Sequence, residues 1–410
     1  MIKMPGIKNY PKNINLVKFL NDRYYLNYKG PYTHIISITN RCNVKCRYCI
    51  ANARTYGKSM NSQTACSIID FIFSIPLEGY YIEFTGGEPF ENFKVLNSAI
   101  DYAKKQSKKY RKEIHFSIVS NLNRLTNEHI KFILKNKITI CTSIDGPYKI
   151  HNLIRPDSYK NTVENIKKLI YYYNSGLIEK PNVITTLTRK SLNYYKEIID
   201  EYVNLGINRV QLGFIEPYGR AKNKWKELGY NYNDYLSFYR SAINYIIDLN
   251  LKKNILIYEK GLYLLIYDIF KNKKPVQRSI DIYHRLAYDI NGNIYPSDEA
   301  RIIGENGDDT FLIGNVKKTN FKEILLNKKT QNFMLSNFQE LYQPMCHRCK
   351  YVYYCKIGTY YNYITQNSLY GNIIKSDRCK IFKGIFEFLF ELIKSKSNLK
   401  VFKNWLNRVR

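Results

Sequence analysis

Apolar and polar positions alternate in six short runs, at roughly Ile35–Thr39, Tyr80–Thr85, Ile114–Ser120, Ile138–Ile144, Val183–Leu187 and Val210–Phe214, and a period of two predicts strands. Between them the spacing lengthens to that of a helix face. Ala65, Ile68, Ile69, Ile72 and Phe73 form one such face, Val95, Leu96, Ala99, Ile100 and Ala103 a second, and Val163, Ile166, Leu169 and Ile170 a third. Six strand–helix repeats imply a parallel sheet with its helices outside, an α/β fold. Eight repeats would close a full barrel. Six predict an open, partial (β/α)6 TIM-like barrel, with active groups at the C-terminal ends of the strands.

The pattern changes on either side of these repeats. Residues 1–31, with Pro5, Gly6, Pro11 and Gly30, read as an N-terminal arm with no room for a separate peptide-binding domain, and the barrel is expected over 32–221. Residues 222–280 read as a helical bridge rich in Tyr and Ile. A smaller unit follows over 281–383, opening with a hairpin around Asn291-Gly292. Residues 384–410 form a basic C-terminal helix. Its aromatic stripe of Phe386, Phe388, Phe390 and Trp405 favours docking on the barrel over lying on a membrane.

Composition narrows the class. Hydrophobic residues make up 45% of the 410 positions and charged residues 24%, ordinary for a folded chain, and no apolar run approaches the ~20 residues of a membrane span. The N-terminal segment lacks the apolar core of a secretory signal, so a cytoplasmic location is expected. The formal charge of +30 is spread through every segment. It reads as a solvated basic surface, so nucleic acid is not the expected partner.

Nine cysteines in clustered spacings point to metal clusters rather than disulfides. Cys42, Cys46 and Cys49 lie within eight residues, directly after the first predicted strand. Three thiolates can hold three irons of a 4Fe-4S cubane and leave the fourth iron open to a small molecule, whereas structural zinc wants four closed ligands. Thr85-Gly86-Gly87-Glu88-Pro89 follows the second strand: the glycines allow close backbone approach to a ligand, and Glu88 can accept hydrogen bonds from an ammonium group. The third strand ends at Ser120-Asn121, and the fourth at Ser143-Ile144-Asp145-Gly146-Pro147, followed by His151 and Arg155.

The three-Cys spacing, with Tyr48 before its last Cys and Gly-Gly-Glu-Pro one strand later, resembles the signature of the radical S-adenosylmethionine (SAM) enzymes. The resemblance implies that Cys42, Cys46 and Cys49 ligate a 4Fe-4S cluster whose electron cleaves SAM to a 5'-deoxyadenosyl radical. It also implies a SAM site made from Tyr48, Gly86, Gly87, Glu88 and Pro89, with Glu88 on the methionine amino group. Ser143 and Arg155 would hold the SAM carboxylate, Ser120 or Asn121 the ribose, and Leu187 the adenine. Asp145-Gly146-Pro147 also reads simply as a strand-end turn.

Near the C-terminus, Cys346, Cys349, Cys355 and Cys379 resemble the SPASM extension of peptide-modifying radical SAM enzymes, where such a set ligates one auxiliary 4Fe-4S cluster; a zinc knuckle is the alternative. A full extension carries a second auxiliary cluster, but two of its Cys positions are Ser297 and Thr359 here, so two clusters in all are expected. Cys66 and Cys141 read as small buried residues. Ser297-Asp298-Glu299-Ala300-Arg301 and the downstream Phe311-Leu312-Ile313-Gly314-Asn315-Val316 are similar to the maturases of His-Xaa-Ser peptide systems, with a relation to the anaerobic sulfatase-maturating enzymes. In the latter the carboxylate at the position of Asp298 is proposed to take a substrate proton; an Asp298–Arg301 salt bridge is the structural alternative. The resemblance implies a peptide maturase that crosslinks a ribosomally made precursor. It would be served by a flavodoxin- or ferredoxin-like reductant and a possible partner maturase. Formylglycine formation and a non-catalytic iron-sulfur scaffold or electron carrier are the competing readings.

Overall fold

The computed structural model describes residues 29–270, 281–355 and 357–409. Nearly all of the expected N-terminal arm, and the last ten residues of the expected helical bridge, lie outside them. The strands are β1 (Thr33–Ser37), β2 (Gly79–Thr85), β3 (Glu113–Val119), β4 (Thr139–Ser143), β5 (Asn182–Thr186), β6 (Arg209–Val210), β7 (Leu212–Gly213), β8 (Tyr258–Glu259), β9 (Arg285–Tyr288), β10 (Asn293–Tyr295) and β11 (Gly314–Asn315). Nine of them form one sheet in the order β11-β10-β9-β1-β2-β3-β4-β5-β7. From β1 to β5 and on to β7 every pairing is parallel, as the six repeats require. The last predicted strand is broken at Gln211, so that β6 pairs with β8 in a separate ladder while β7 completes the barrel arc.

Alternation along the strands sorts the side chains. Ile82 and Phe84 of β2 are wholly buried under the helices, whereas the intervening Glu83 pairs in register with Ile35 of β1 and Ser117 of β3 on the inner face. The helix Ser62–Ser74 buries Ala65, Ile68, Ile69 and Ile72 and is capped by Asn61, whose Oδ1 accepts the Thr64 N–H at 2.8 Å. The helix Phe93–Tyr110 buries Val95, Leu96, Ala99, Ile100 and Ala103, carries Lys108 and Lys109 in its last turn, and stops at Arg111 in the left-handed conformation. Both buried faces are those that the spacing predicts.

Beyond the barrel the hairpin around Asn291-Gly292 forms from β9 and β10, with Asp289 Oδ1 accepting the Asn291 and Asn293 N–H groups. Its first strand also pairs in parallel with β1, so the hairpin continues the barrel sheet past its first edge. The chain ends in helices Asp377–Leu392 and Lys396–Arg408, which pack on the long helix Tyr232–Lys252. Trp405 and Phe402 are wholly buried there, and Trp405 Nε1–H donates to Asn250 Oδ1 at 3.1 Å. Among the described residues no helix is long and apolar enough to cross a membrane. Trp405→Ala should cost ~3–5 kcal/mol of stability, as expected for deleting a buried aromatic. A chemical-denaturation midpoint unchanged within error would refute that docking.

Candidate functional site

The three-Cys segment lies in the long connection between β1 and the helix Ser62–Ser74, a stretch with almost no regular structure. Its backbone must therefore be satisfied by neighbours. Cys42 N–H donates to Arg54 O at 2.9 Å, and isolated bridges join Thr39 to Ser59 and Arg41 to Arg54. From the end of β2, Gly87 N–H donates to Thr39 O and Glu88 N–H to Arg41 O, both at 2.7 Å. A Cβ at Gly87 would stand 2.1 Å from Arg41 O, and one at Gly86, whose φ is +146°, 2.3 Å from Thr39 O. The close approach expected toward a ligand is thus made, in this structure, toward the three-Cys loop itself.

Cys42 and Cys46 are buried together with Val44 and Ala53, and Cys49 packs against the same group. Burial pushes the Cys42 thiol up to about 12, with the neighbouring Glu88, Cys46 and Cys49 adding to the rise. Burial raises the Cys46 thiol as well, and a bound cation reverses that balance. Among the described residues no three His, Cys, Asp or Glu side chains converge on a single metal ion. A cubane asks for less convergence, because each thiolate takes a different iron, and a largely buried sulfur-only donor set suits it.

Glu88 is almost fully buried. Its Oε1 accepts from Ser120 Oγ at 2.8 Å and Phe90 N at 3.3 Å, and its Oε2 from Asn121 N at 2.8 Å. Burial pushes the Glu88 carboxyl up to about 7 against the pull of these donors. Ser120 and Asn121, expected at the ribose, are here partners of Glu88, and Asn121 Nδ2 also reaches Asn43 Oδ1 at 2.9 Å and Cys42 Sγ at 3.6 Å. Pro89, buried, opens the short 3-10 turn Pro89–Asn92.

On the far side of the loop stands a network that spacing did not reveal. Asp145 is completely buried and accepts from Tyr48 Oη at 3.0 Å, Arg155 Nε at 2.8 Å and Thr186 N at 2.9 Å. Arg155 also donates to Tyr48 Oη, and its Nη1 lies 3.6 Å from Cys46 Sγ. Arg155, expected on a SAM carboxylate, thus already gives much of its fork to Asp145 and Tyr48. Asp145, which in the sequence reads only as part of a strand-end turn, is the buried acid that orients Arg155. Behind it, His151 accepts the Asp145 N–H through Nδ1 and pairs with Ser158 Oγ through Nε2. Ser143 ends β4 on the inner face, in register with Ile184. The Leu187 side chain sits in the main core, and its N–H is given to Gly213 O.

Toward the C-terminal end of the chain, Cys346, Cys349, Cys355 and Cys379 gather around Val352, Ile357, Ile373 and Phe382, so the expected quartet is brought together. Ser297 Oγ caps the helix Asp298–Glu305 through Ala300 N, and Thr359 Oγ1 pairs with Ser336 Oγ at 2.8 Å. Both hydroxyls thus have local structural work. Asp298 Oδ1 accepts from Arg301 Nε at 2.8 Å, so the salt bridge expected as the structural alternative is present. Asp298 also lies close enough to Glu83 on the barrel's inner face to help burial raise that carboxyl.

Two outcomes are expected from this geometry. Gly87→Ala should displace the Arg41 carbonyl and strip iron selectively from the three-Cys site; full iron in that variant would show the close approach to be dispensable. Burial lowers His151 from its ordinary 6.5 to about 4, so the unfolded chain binds the proton more readily. The stability held by neutral His151 is complete above about 6.5 and is lost as pH falls toward about 4. Denaturation midpoints of the apoprotein should fall across that window, and less steeply in His151→Gln.

Known proteins resemble this chain in sequence and in fold. Residues 36–178 match the model of the radical SAM superfamily. An uncharacterized protein of Methanocaldococcus jannaschii is 30% identical over 187 residues, 45% of this chain and 62% of that protein, so the shared part is under two thirds of that relative. A cysteine-type anaerobic sulfatase-maturating enzyme of Clostridium perfringens is 23% identical over 376 residues, 88% of this chain and 96% of that enzyme. Among solved structures, native anSMEcpe with bound AdoMet superposes with a TM-score of 0.74 at 19% identity, covering 91% of this chain and 100% of that one. Streptococcus suis SuiB bound to precursor peptide SuiA gives 0.64 at 15% identity, covering 92% and 84%. Residues 36–178 thus resemble the radical SAM superfamily, and the chain is similar over 88% of its length to a cysteine-type anaerobic sulfatase-maturating enzyme.

Proposed function

We propose that this enzyme is a peptide maturase that modifies, by crosslinking, a ribosomally synthesised precursor. The observation that carries the reading is the pairing of two clustered, partly buried cysteine sets in one chain, Cys42, Cys46 and Cys49 at the barrel mouth and Cys346, Cys349, Cys355 and Cys379 toward its C-terminal end. The relation to a sulfatase-maturating enzyme along 88% of the chain supports a peptide substrate, and a structure of similar fold is bound to its precursor peptide.

When loaded, the first set would hold the 4Fe-4S cluster that splits SAM and supplies a hydrogen-abstracting 5'-deoxyadenosyl radical, and the second an auxiliary 4Fe-4S cluster able to accept an electron. The residues do the rest. Glu88, held by Ser120, Asn121 and Phe90, presents a carboxylate to the methionine ammonium. Ser143 and Arg155 would hold its carboxylate, with Asp145 and Tyr48 fixing the Arg155 guanidinium. Asp298 takes the proton that a crosslink must release, with Arg301 fixing its orientation. A flavodoxin- or ferredoxin-like reductant supplies the first electron, and a partner maturase can deliver the precursor.

Formylglycine formation is the second reading, favoured by the same relation to sulfatase maturases. The mass of the product separates the two: a crosslink removes two hydrogens, whereas formylglycine made from Cys exchanges the thiol for an aldehyde oxygen, and an epimerisation changes no mass. The test is anaerobic reconstitution followed by a dithionite-driven assay with the candidate precursor. About eight irons per chain are expected, falling to about four when Cys42, Cys46 and Cys49 are all changed to Ala, with 5'-deoxyadenosine lost. Glu88→Ala should lower SAM cleavage about 10- to 100-fold, the worth of a hydrogen bond between charged groups. A non-catalytic scaffold would be indifferent to it. Asp298→Asn should keep deoxyadenosine formation while product falls by about 10²-fold or more; unchanged product would leave Asp298 only its salt bridge.

A further inference from the structure

The segment from Phe214 to Arg220, which leaves the last barrel strand, touches both cysteine sites. At one end stands Arg378, the residue immediately before Cys379. Its guanidinium carbon lies 3.7 Å from the Phe214 ring centre and 4.8 Å from that of Tyr361, and it forms an ion pair with Glu216. Arg378 is only 6% exposed, so this is a buried pair in a fixed orientation. At the other end, Arg220 N–H donates to Cys49 O at 3.0 Å, its Nη1 to Cys46 O at 3.1 Å and its Nη2 to Ala53 O. Arg220 alone thus binds three carbonyls of the three-Cys loop.

Between the ends the strap is stiff. Ile215 N–H donates to Tyr230 Oη at 3.3 Å, and Tyr218 N–H to Glu216 O at 2.8 Å. Gly219 has φ +56° and ψ −134°, a conformation open to glycine, and a Cβ on it would lie 2.3 Å from Ile50 O and 2.7 Å from Cys49 O. The strap lies directly on the loop that carries Cys49. A shift at Arg378 has few soft torsions in which to dissipate before reaching Cys46 and Cys49.

We propose that Glu216 and Arg378 are positioning residues for the SAM site: through residues 214–220 they transmit the state of the four-cysteine site at Cys379 to the three-Cys loop. This rests on the reading above that both cysteine sets hold clusters. An ordinary buried salt bridge would stabilise the fold without linking the two sites; linkage shows only as non-additivity between changes at them.

The test measures SAM affinity, and the electron paramagnetic resonance signal of the reduced SAM-bound cluster, in anaerobically reconstituted full-length protein without peptide. Wild type, Cys379→Ala, Glu216→Gln and the double variant form the cycle, with Arg378→Lys as a milder break of the same pair. Each single change is expected to weaken SAM binding about tenfold, in the range of ordinary coupling between sites. The double variant should be no weaker than either single one, because both cut the same connection. Arg378→Lys should shift the signal in the direction of Glu216→Gln at unchanged iron content. SAM affinity within twofold of wild type in Glu216→Gln and Arg378→Lys, or a double variant weakened by the product of the two effects, would overturn the proposal. Iron content unaffected by Cys379→Ala would overturn the two-cluster reading beneath it.

Discussion

The structure depends on holding a loop without regular structure against the end of a parallel sheet. The three-Cys segment has few internal hydrogen bonds, so neighbours supply them: the backbone after β2 through Gly87 and Glu88, Arg220 from residues 214–220, Ile154 O, which accepts the Arg47 N–H, and Arg54 from its own return limb. Each of these contacts is between main-chain groups or from a guanidinium to main-chain carbonyls, while Asn121 Nδ2 and Arg155 Nη1 approach the Cys42 and Cys46 sulfurs, both at 3.6 Å. The close approach explains Gly86 and Gly87 better than any turn does, since a single methyl would meet the loop's carbonyls at little more than 2 Å.

Charge is arranged around the same loop with opposite signs on its two sides. Glu88 lies toward Cys42, buried and raised toward neutrality, while Arg155 lies toward Cys46, kept cationic by Asp145. A buried carboxylate that accepts from Arg155, Tyr48 and a main-chain N–H is compensated; removing any one partner leaves an exposed deficit in a low-dielectric interior. That makes Asp145 the anchor through which β4 and β5 fix the orientation of Arg155. The neutral His151 behind it completes the shell, because a second cation there would compete with Arg155 for the same acid.

The sequence made some of this legible and hid the rest for physical reasons. The strands, their order to the sixth and three helix faces follow from local periodicity. The cysteine sets and Gly-Gly-Glu-Pro are short because the backbone demands they meet are local. Asp145 was hidden because its partners lie at 48, 155 and 186, and nothing in Asp-Gly-Pro distinguishes a turn from an anchor. Residues 214–220 were hidden likewise, being defined by contacts with 46, 49, 53 and 378. Glycines can be read as permitting close approach, but not toward what; here the partner is the protein's own loop. The break at Gln211 and the pairing of β9 with β1 are decided by packing, to which strand periodicity is blind.

Mössbauer spectroscopy of the protein reconstituted with iron-57, with and without SAM, tests the central claim most directly. Two 4Fe-4S clusters per chain are expected, one with a single iron whose spectrum changes when SAM is added, and the other indifferent to it. A single cluster type with no iron responsive to SAM would contradict it, because the three-Cys loop would then have no open iron to offer.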